Sequence, residues 1–204
     1  MAGGLGLDMG RPLDAMREYV TVLRAALTGK VEHAGARYRT SWQSGLPRLP
    51  EPPPILLAGL GPKMLELSAT RTRGAHPYLV TPEHTHQARE VLGQGPLLLP
   101  EQTVLLTEDR ADARAVGTDW LRAYLALPNY ANNLLRSGFT ADDLSSVSDR
   151  LFDAIIAWGD EDAVQRRVNE HRAAGADHVC VQVLTADPRE FPREQWRRLA
   201  AAVL

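Results

Sequence analysis

One cysteine, two lysines and no long apolar run set the first limits on this chain of 204 residues. A lone thiol, Cys180, forms no internal disulfide and no cysteine metal cluster, so a reducing cytoplasm is the expected compartment. The longest apolar stretches, Pro52 to Pro62 and Gly95 to Pro100, fall far short of the ~20 residues that cross a bilayer, so no membrane span is expected. The opening MAGGLGLDMGRP has neither the basic nor the apolar segment of a secretory signal. An excess of basic charge is missing too. With 23 Lys+Arg against 25 Asp+Glu the formal net charge is -2, which argues against nucleic acid as a partner. Several catalytic signatures are absent: no GxxxxGK[ST] phosphate loop, no GxSxG nucleophile elbow and no HExxH. His84 and His86 stand two apart on a predicted helix and point to different faces, so no metal site is expected.

What is present is an ordinary globular composition, 44% hydrophobic and 24% charged, and a length that permits one domain over 1–204. Leu13, Met16, Val20, Leu23 and Leu27 recur at helical spacing, with Pro12 suited to the first turn and Gly29 to the end, which predicts a helix over about 12–28. VEHAGARYRT reads as a short hairpin, and the proline-rich stretch to Pro54 as an irregular excursion. Four runs then read as strands, 55–58, 76–80, 102–107 and 178–184. Helical segments separate them. One starts at Thr81-Pro82-Glu83, a long charged region has breaks near Pro128 and Gly138, and one runs around Leu151 to Trp158. Another is capped by Asp160 and closed by Gly175, and the last starts at Pro192. Strands alternating with helices imply βαβ crossovers, a parallel sheet and an α/β class.

The sharpest local feature is ILLAGLGPK, a strand running through Gly59-Leu60-Gly61-Pro62-Lys63 into a helix. Two glycines let the backbone approach a ligand closely, the helix N-terminus suits an anion, and Lys63 adds positive charge. The same residues also suit a tight βα turn that needs only small side chains. The second feature is GAHPYLVTPEH, in which His76 and Tyr78 share a strand face and Val80-Thr81-Pro82 form the exit. In parallel α/β proteins ligands sit beyond the strand C-termini, where both turns fall, although Thr-Pro-Glu is equally a good helix start with no ligand. Cys180 reads as a small buried residue, and the acids of EDRAD, ADD and GDED as helix starts. His76 is the one candidate for a polar group facing the interior, with a structural histidine as the alternative.

GRPLDAMREYVTVLRAAL, AGARYR, PILLAGLGPKMLELSA, RGAHPYLVTPEH and WGDEDAVQRRVNEHRAAGADHVCVQVL, in this order and spacing, resemble the luciferase-like monooxygenases, especially the coenzyme F420-dependent branch. The resemblance implies a TIM-like (β/α)8 barrel with coenzyme F420, or FMN as the alternative, held at the C-terminal rim. It implies that Ala58, Gly59, Leu60, Gly61 and Lys63 meet the cofactor's phosphate-bearing tail and that Thr81 lies nearby. It also implies a small organic substrate and hydride transfer or monooxygenation. The matching pieces begin at the helix that follows the family's fourth strand, so the expected fold is an incomplete barrel of about four parallel strands, its chemistry impaired, its open edges covered by self-association into a homo-oligomer. A cofactor-free assembly module built on such a half-barrel is the competing expectation.

Overall fold

A computed structural model of the chain describes residues 10–43 and 51–203. Helix α1 (Pro12–Leu27) opens on its proline, and the hairpin β1 (Lys30–Ala34) and β2 (Arg39–Gln43) folds back beside it. One carboxylate fastens the two together. Glu18 accepts the backbone N–H groups of Ala36, Arg37 and Tyr38, which hold its pKa below the usual carboxylate value. Part of the proline-rich excursion expected before Pro54 lies outside the described residues.

Strand β3 (Leu56–Leu57) leads into α2 (Pro62–Arg71), β4 (Gly74–Ala75) into α3 (Pro82–Leu92), and β5 (Leu97–Leu98) almost directly into β6 (Glu101–Leu106). β5 and β6 are one extended pass bent at Pro100, because backbone bonds run on through the bend. On one side Leu99 and Glu101 donate to Ala75 and Pro77 at 3.0 and 2.9 Å; on the other Pro100 accepts from Cys180 at 2.9 Å. With β8 (Cys180–Val183) the chain thus lays four parallel passes side by side. The described strands do not close on themselves. The architecture is α/β, an incomplete TIM-like barrel.

The sequence expectations need three corrections. The second strand is paired at Gly74–Ala75, earlier than the expected 76–80. Gly74 packs so closely on the Leu97 backbone that a Cβ there would overlap it, and the chain leaves the sheet at Leu79, whose φ is 58°. Leu97–Leu98 pair as a strand that alternation over two residues was too short to reveal. The helix expected over Leu151 to Trp158 ends sooner: α7 (Asp149–Ile155) gives way to β7 (Ile156–Gly159), which pairs with Thr103–Leu106. β7 occupies the side of β6 that β4 has abandoned, so a free sheet edge overrides local helical periodicity.

The two faces of the sheet differ. Leu57, Ala75, Leu98, Val104, Val181 and Val183 point outward, onto α1, α2, α3, α8 (Glu161–Ala173) and α9 (Arg193–Val203). Alternation therefore turns Ala58, His76, Tyr78, Glu101, Thr103, Cys180 and Gln182 inward. The excursion α4 (Arg110–Leu125), α5 (Pro128–Arg136), α6 (Ala141–Ser146) and α7 builds its own core around Phe152, Leu121 and Leu151 and seats it on Leu79, Leu105 and Ile156. The expected breaks at Pro128 and Gly138 and the Asp160 cap, which receives the Ala163 N–H at 2.8 Å, are where the sequence puts them.

Candidate functional site

Both glycine- and proline-marked turns leave the same end of the parallel sheet, and one hydrogen bond joins them. His84, in the first turn of α3, donates from Nε2 to the Leu60 carbonyl at 2.9 Å. Burial pushes the His84 pKa down, so the ring is neutral at pH 7 with its proton on Nε2. Its Nδ1 is then a buried acceptor without a partner among the described residues.

Around this link the expected residues take different places. Ala58 follows β3, exposed on the inward face, and Gly59 is buried, its N–H turned back to Leu57. A Cβ on Gly59 would stand 3.3 Å from Ser68 Oγ, tight enough to make a small residue the natural occupant. Gly61 is the N-cap of α2 and brings no side chain to receive the helix's first N–H groups. Lys63 is exposed and lines the groove between α1 and α2 with Leu13, Arg17 and Glu66. The cation nearest Gly61 is Arg136, at the end of α5: a Cβ on Gly61 would stand 3.7 Å from its Nη2. Thr81 is buried, and its hydroxyl already caps α3 by accepting from the His84 N–H at 3.3 Å and bonding Glu83. It shapes the rim turn but has no free hydroxyl to offer.

Across the inward face runs a row of polar side chains that the sequence did not single out as a group. Tyr78 donates to Gln182 Oε1 at 2.8 Å and lies 3.1 Å from the Tyr124 hydroxyl of α4. Its phenol pKa is raised by burial first and by Tyr124 second. Glu101, at the start of β6, is only 4% exposed; its carboxylate accepts from Thr103 Oγ1 at 2.5 Å and from the Leu79 N–H at 3.3 Å. Burial outweighs these bonds and pushes the carboxyl pKa up to about 7. Cys180 is half-buried beside it, its thiol raised by burial and by that same acid. His76 is spent on structure, with Nδ1 2.5 Å from the Leu99 carbonyl. Glu101 had a signal of sorts, a lone acid inside LLLPEQTVLL. Arg136 had none, since its place depends on how a helix 75 positions beyond Gly61 returns to the rim.

An inward polar face, an uncapped helix N-terminus and a neighbouring arginine form a site able to hold a molecule with an anionic tail and a flat polar body. Comparison with known proteins agrees with the architecture. Residues 1–178 match the sequence profile of the luciferase-like monooxygenases. A Mycobacterium tuberculosis protein named as a coenzyme F420-dependent oxidoreductase is 26% identical over 248 aligned positions, covering 98% of this chain and 70% of that one. Among solved structures, the coenzyme F420-dependent tetrahydromethanopterin reductase of Methanopyrus kandleri superposes with a TM-score of 0.67 at 18% identity, over 95% of this chain and 62% of its own. The oxygenating constituent of the 3,6-diketocamphane monooxygenase of Pseudomonas putida, solved with FMN, superposes at 0.60 and 15% identity, over 97% and 62%. The chain thus spans less than two thirds of the length of these two solved proteins. By the profile it matches along most of its length, it belongs to the luciferase-like monooxygenase family.

Proposed function

We propose that this chain binds coenzyme F420, with FMN as the alternative, at the mouth formed by Ala58, Gly59, Leu60, Gly61 and Lys63, and acts as an oxidoreductase on a small organic substrate. The observation that carries this reading is the His84–Leu60 bond, which closes the two rim turns over the uncapped α2 N-terminus with Arg136 beside it. These residues suit a phosphate: the Lys63 N–H in the first turn of α2 and the Arg136 guanidinium are donors only. Arg136 would supply the nearest charge, Lys63 a more distant one, and Thr81 would hold the shape of the turn. When bound, the cofactor supplies hydride transfer or oxygen activation, and the protein supplies orientation, charge and a dry wall. The inward row from Tyr78 to Gln182 would be that wall.

The described sheet is open, so turnover by this chain is expected to be weak unless a second copy or another segment covers the inward face. The edges of β3 and β8, unpaired among the described residues, favour self-association, and a cofactor-free dimer is the competing reading. Fluorescence titration of the folded protein with FMN and with F420, beside sedimentation velocity, separates the two. Saturable binding of either supports the cofactor reading. A folded dimer that binds neither overturns it.

A further inference from the structure

The rim turn contains a strained residue, and the only carboxylate among the described residues of the sheet's inward row holds it. Leu79 is buried, 1% exposed, with φ at 58°, a left-handed conformation that a bulky side chain adopts only when its surroundings enforce it. Glu101 grips this segment twice. Its backbone N–H donates to Pro77 O at 2.9 Å, and its side chain accepts the Leu79 N–H at 3.3 Å. One residue before Leu79 is Tyr78, whose hydroxyl joins Gln182; two after it is Thr81, which caps α3 and so seats His84 against Leu60. Whatever fixes Leu79 therefore fixes both the tyrosine on the wall and the turn at the mouth.

We propose that Glu101 is a positioning residue: its carboxylate holds the left-handed turn at Leu79 and thereby sets where Tyr78 and the Val80–Thr81 turn stand against the bound cofactor. The inference rests on the cofactor reading above for its second half only. A buried acid is a costly way to accept one N–H, and a neutral side chain would fill the space more cheaply. The groups facing it are Tyr78 from the β4 exit, Tyr130 from α5, Thr103 on its own strand and Cys180 from β8. None of them is a cation, so the carboxyl gains a proton near neutrality. Gaining it replaces a charge-assisted acceptor by a neutral one and weakens the hold on Leu79.

Two variants separate positioning from mere packing. Glu101→Gln keeps an acceptor for Leu79 and cannot titrate. Glu101→Leu removes the acceptor and the buried charge together, so the relieved charge offsets the donors left unpaired and the fold should be kept while the turn loosens. The expected results are a Leu79 backbone amide resonance that shifts with pH through a midpoint near 7 in the unliganded wild type and stays flat in Glu101→Gln. FMN and F420 should bind ~10-fold more weakly to Glu101→Leu, the size of one lost charged hydrogen bond, while Glu101→Gln restores most of the affinity and loses its pH dependence. A Leu79 amide that does not titrate in the wild type, or wild-type affinity in Glu101→Leu, overturns the proposal. Should the wild type bind neither FMN nor F420, the cofactor reading fails, and the amide titration still decides the role of Glu101 at the turn.

Discussion

Strand β6 carries a buried polar group on each face, and the two have opposite characters. Outward, Gln102 donates from Nε2 to the Ile155 and Thr103 carbonyls at 2.9 and 2.7 Å and accepts at Oε1 from His171 Nε2 at 3.0 Å. Thr85 closes the chain 2.8 Å from His171 Nδ1. Every polar atom of the glutamine amide and the imidazole has a partner, and the network ties α3, β6 and α8 together. Inward, the Glu101 carboxyl has two hydrogen-bond partners and no cation among the described residues facing it, and it sits beside a strained turn. A satisfied buried network belongs to stability; an under-compensated acid on the inward side is a cost that packing alone would remove. The difference marks the outward face as built for the fold and, on the cofactor reading proposed above, the inward face as built for a bound molecule.

The largest effect should come from breaking the outward network. Gln102→Leu leaves the buried His171 N–H without an acceptor and takes one donor from each of the Ile155 and Thr103 carbonyls, and should cost roughly 3–4 kcal/mol, lowering the thermal midpoint by roughly 10 °C. Cofactor affinity at 25 °C should be unchanged. Calorimetry and a binding titration on one sample check both.

Next comes pH, where the two faces pull in opposite directions. Burial lowers the His171 pKa to about 4, so the unfolded chain takes up its proton first, and this contribution is present above 6.5 and lost as pH falls toward 4. The Glu101 pKa is raised to about 7, so its contribution is present below 4.5 and lost as pH rises through 7. Each is worth on the order of 3 kcal/mol at most, and between about 4.5 and 6.5 they offset one another. Urea unfolding across pH should therefore give a shallow wild-type profile and, in Glu101→Gln, a stability that climbs steadily from pH 4 to 6.5. A steep wild-type profile equal to that of the variant would show that Glu101 does not titrate as stated.

At pH 8, Glu101→Gln should gain on the order of 1–2 kcal/mol of stability, because a buried charge without a counterion is removed. The smallest effects concern the mouth. Arg136→Ala should weaken FMN or F420 binding roughly 10-fold and Lys63→Ala by roughly twofold or less, since the Arg136 guanidinium stands near Gly61 whereas the Lys63 ammonium belongs to the α1–α2 groove. Equal losses from the two variants would return Lys63 to the centre of the site.

Much of this was legible in the chain. The α1 periodicity, the Thr81 and Asp160 caps, the hairpin and the parallel order follow from short-range chemistry that a segment carries with it. The GLGPK turn was visible because glycine and proline restrict backbone geometry wherever they stand. The strand at Ile156–Gly159 and the identity of the nearest cation were not visible, because each depends on which distant element arrives at an open edge or an open mouth.

Local residues settled which segments coil, which extend and where the two glycine- and proline-marked turns lie, since capping, φ preference and alternation act within a few positions. Long-range packing alone decided that Glu101 meets Leu79, that His84 reaches Leu60 and that Arg136 rather than Lys63 stands at Gly61. The carboxyl's charge is governed by burial, and no residue carries its own burial in its name.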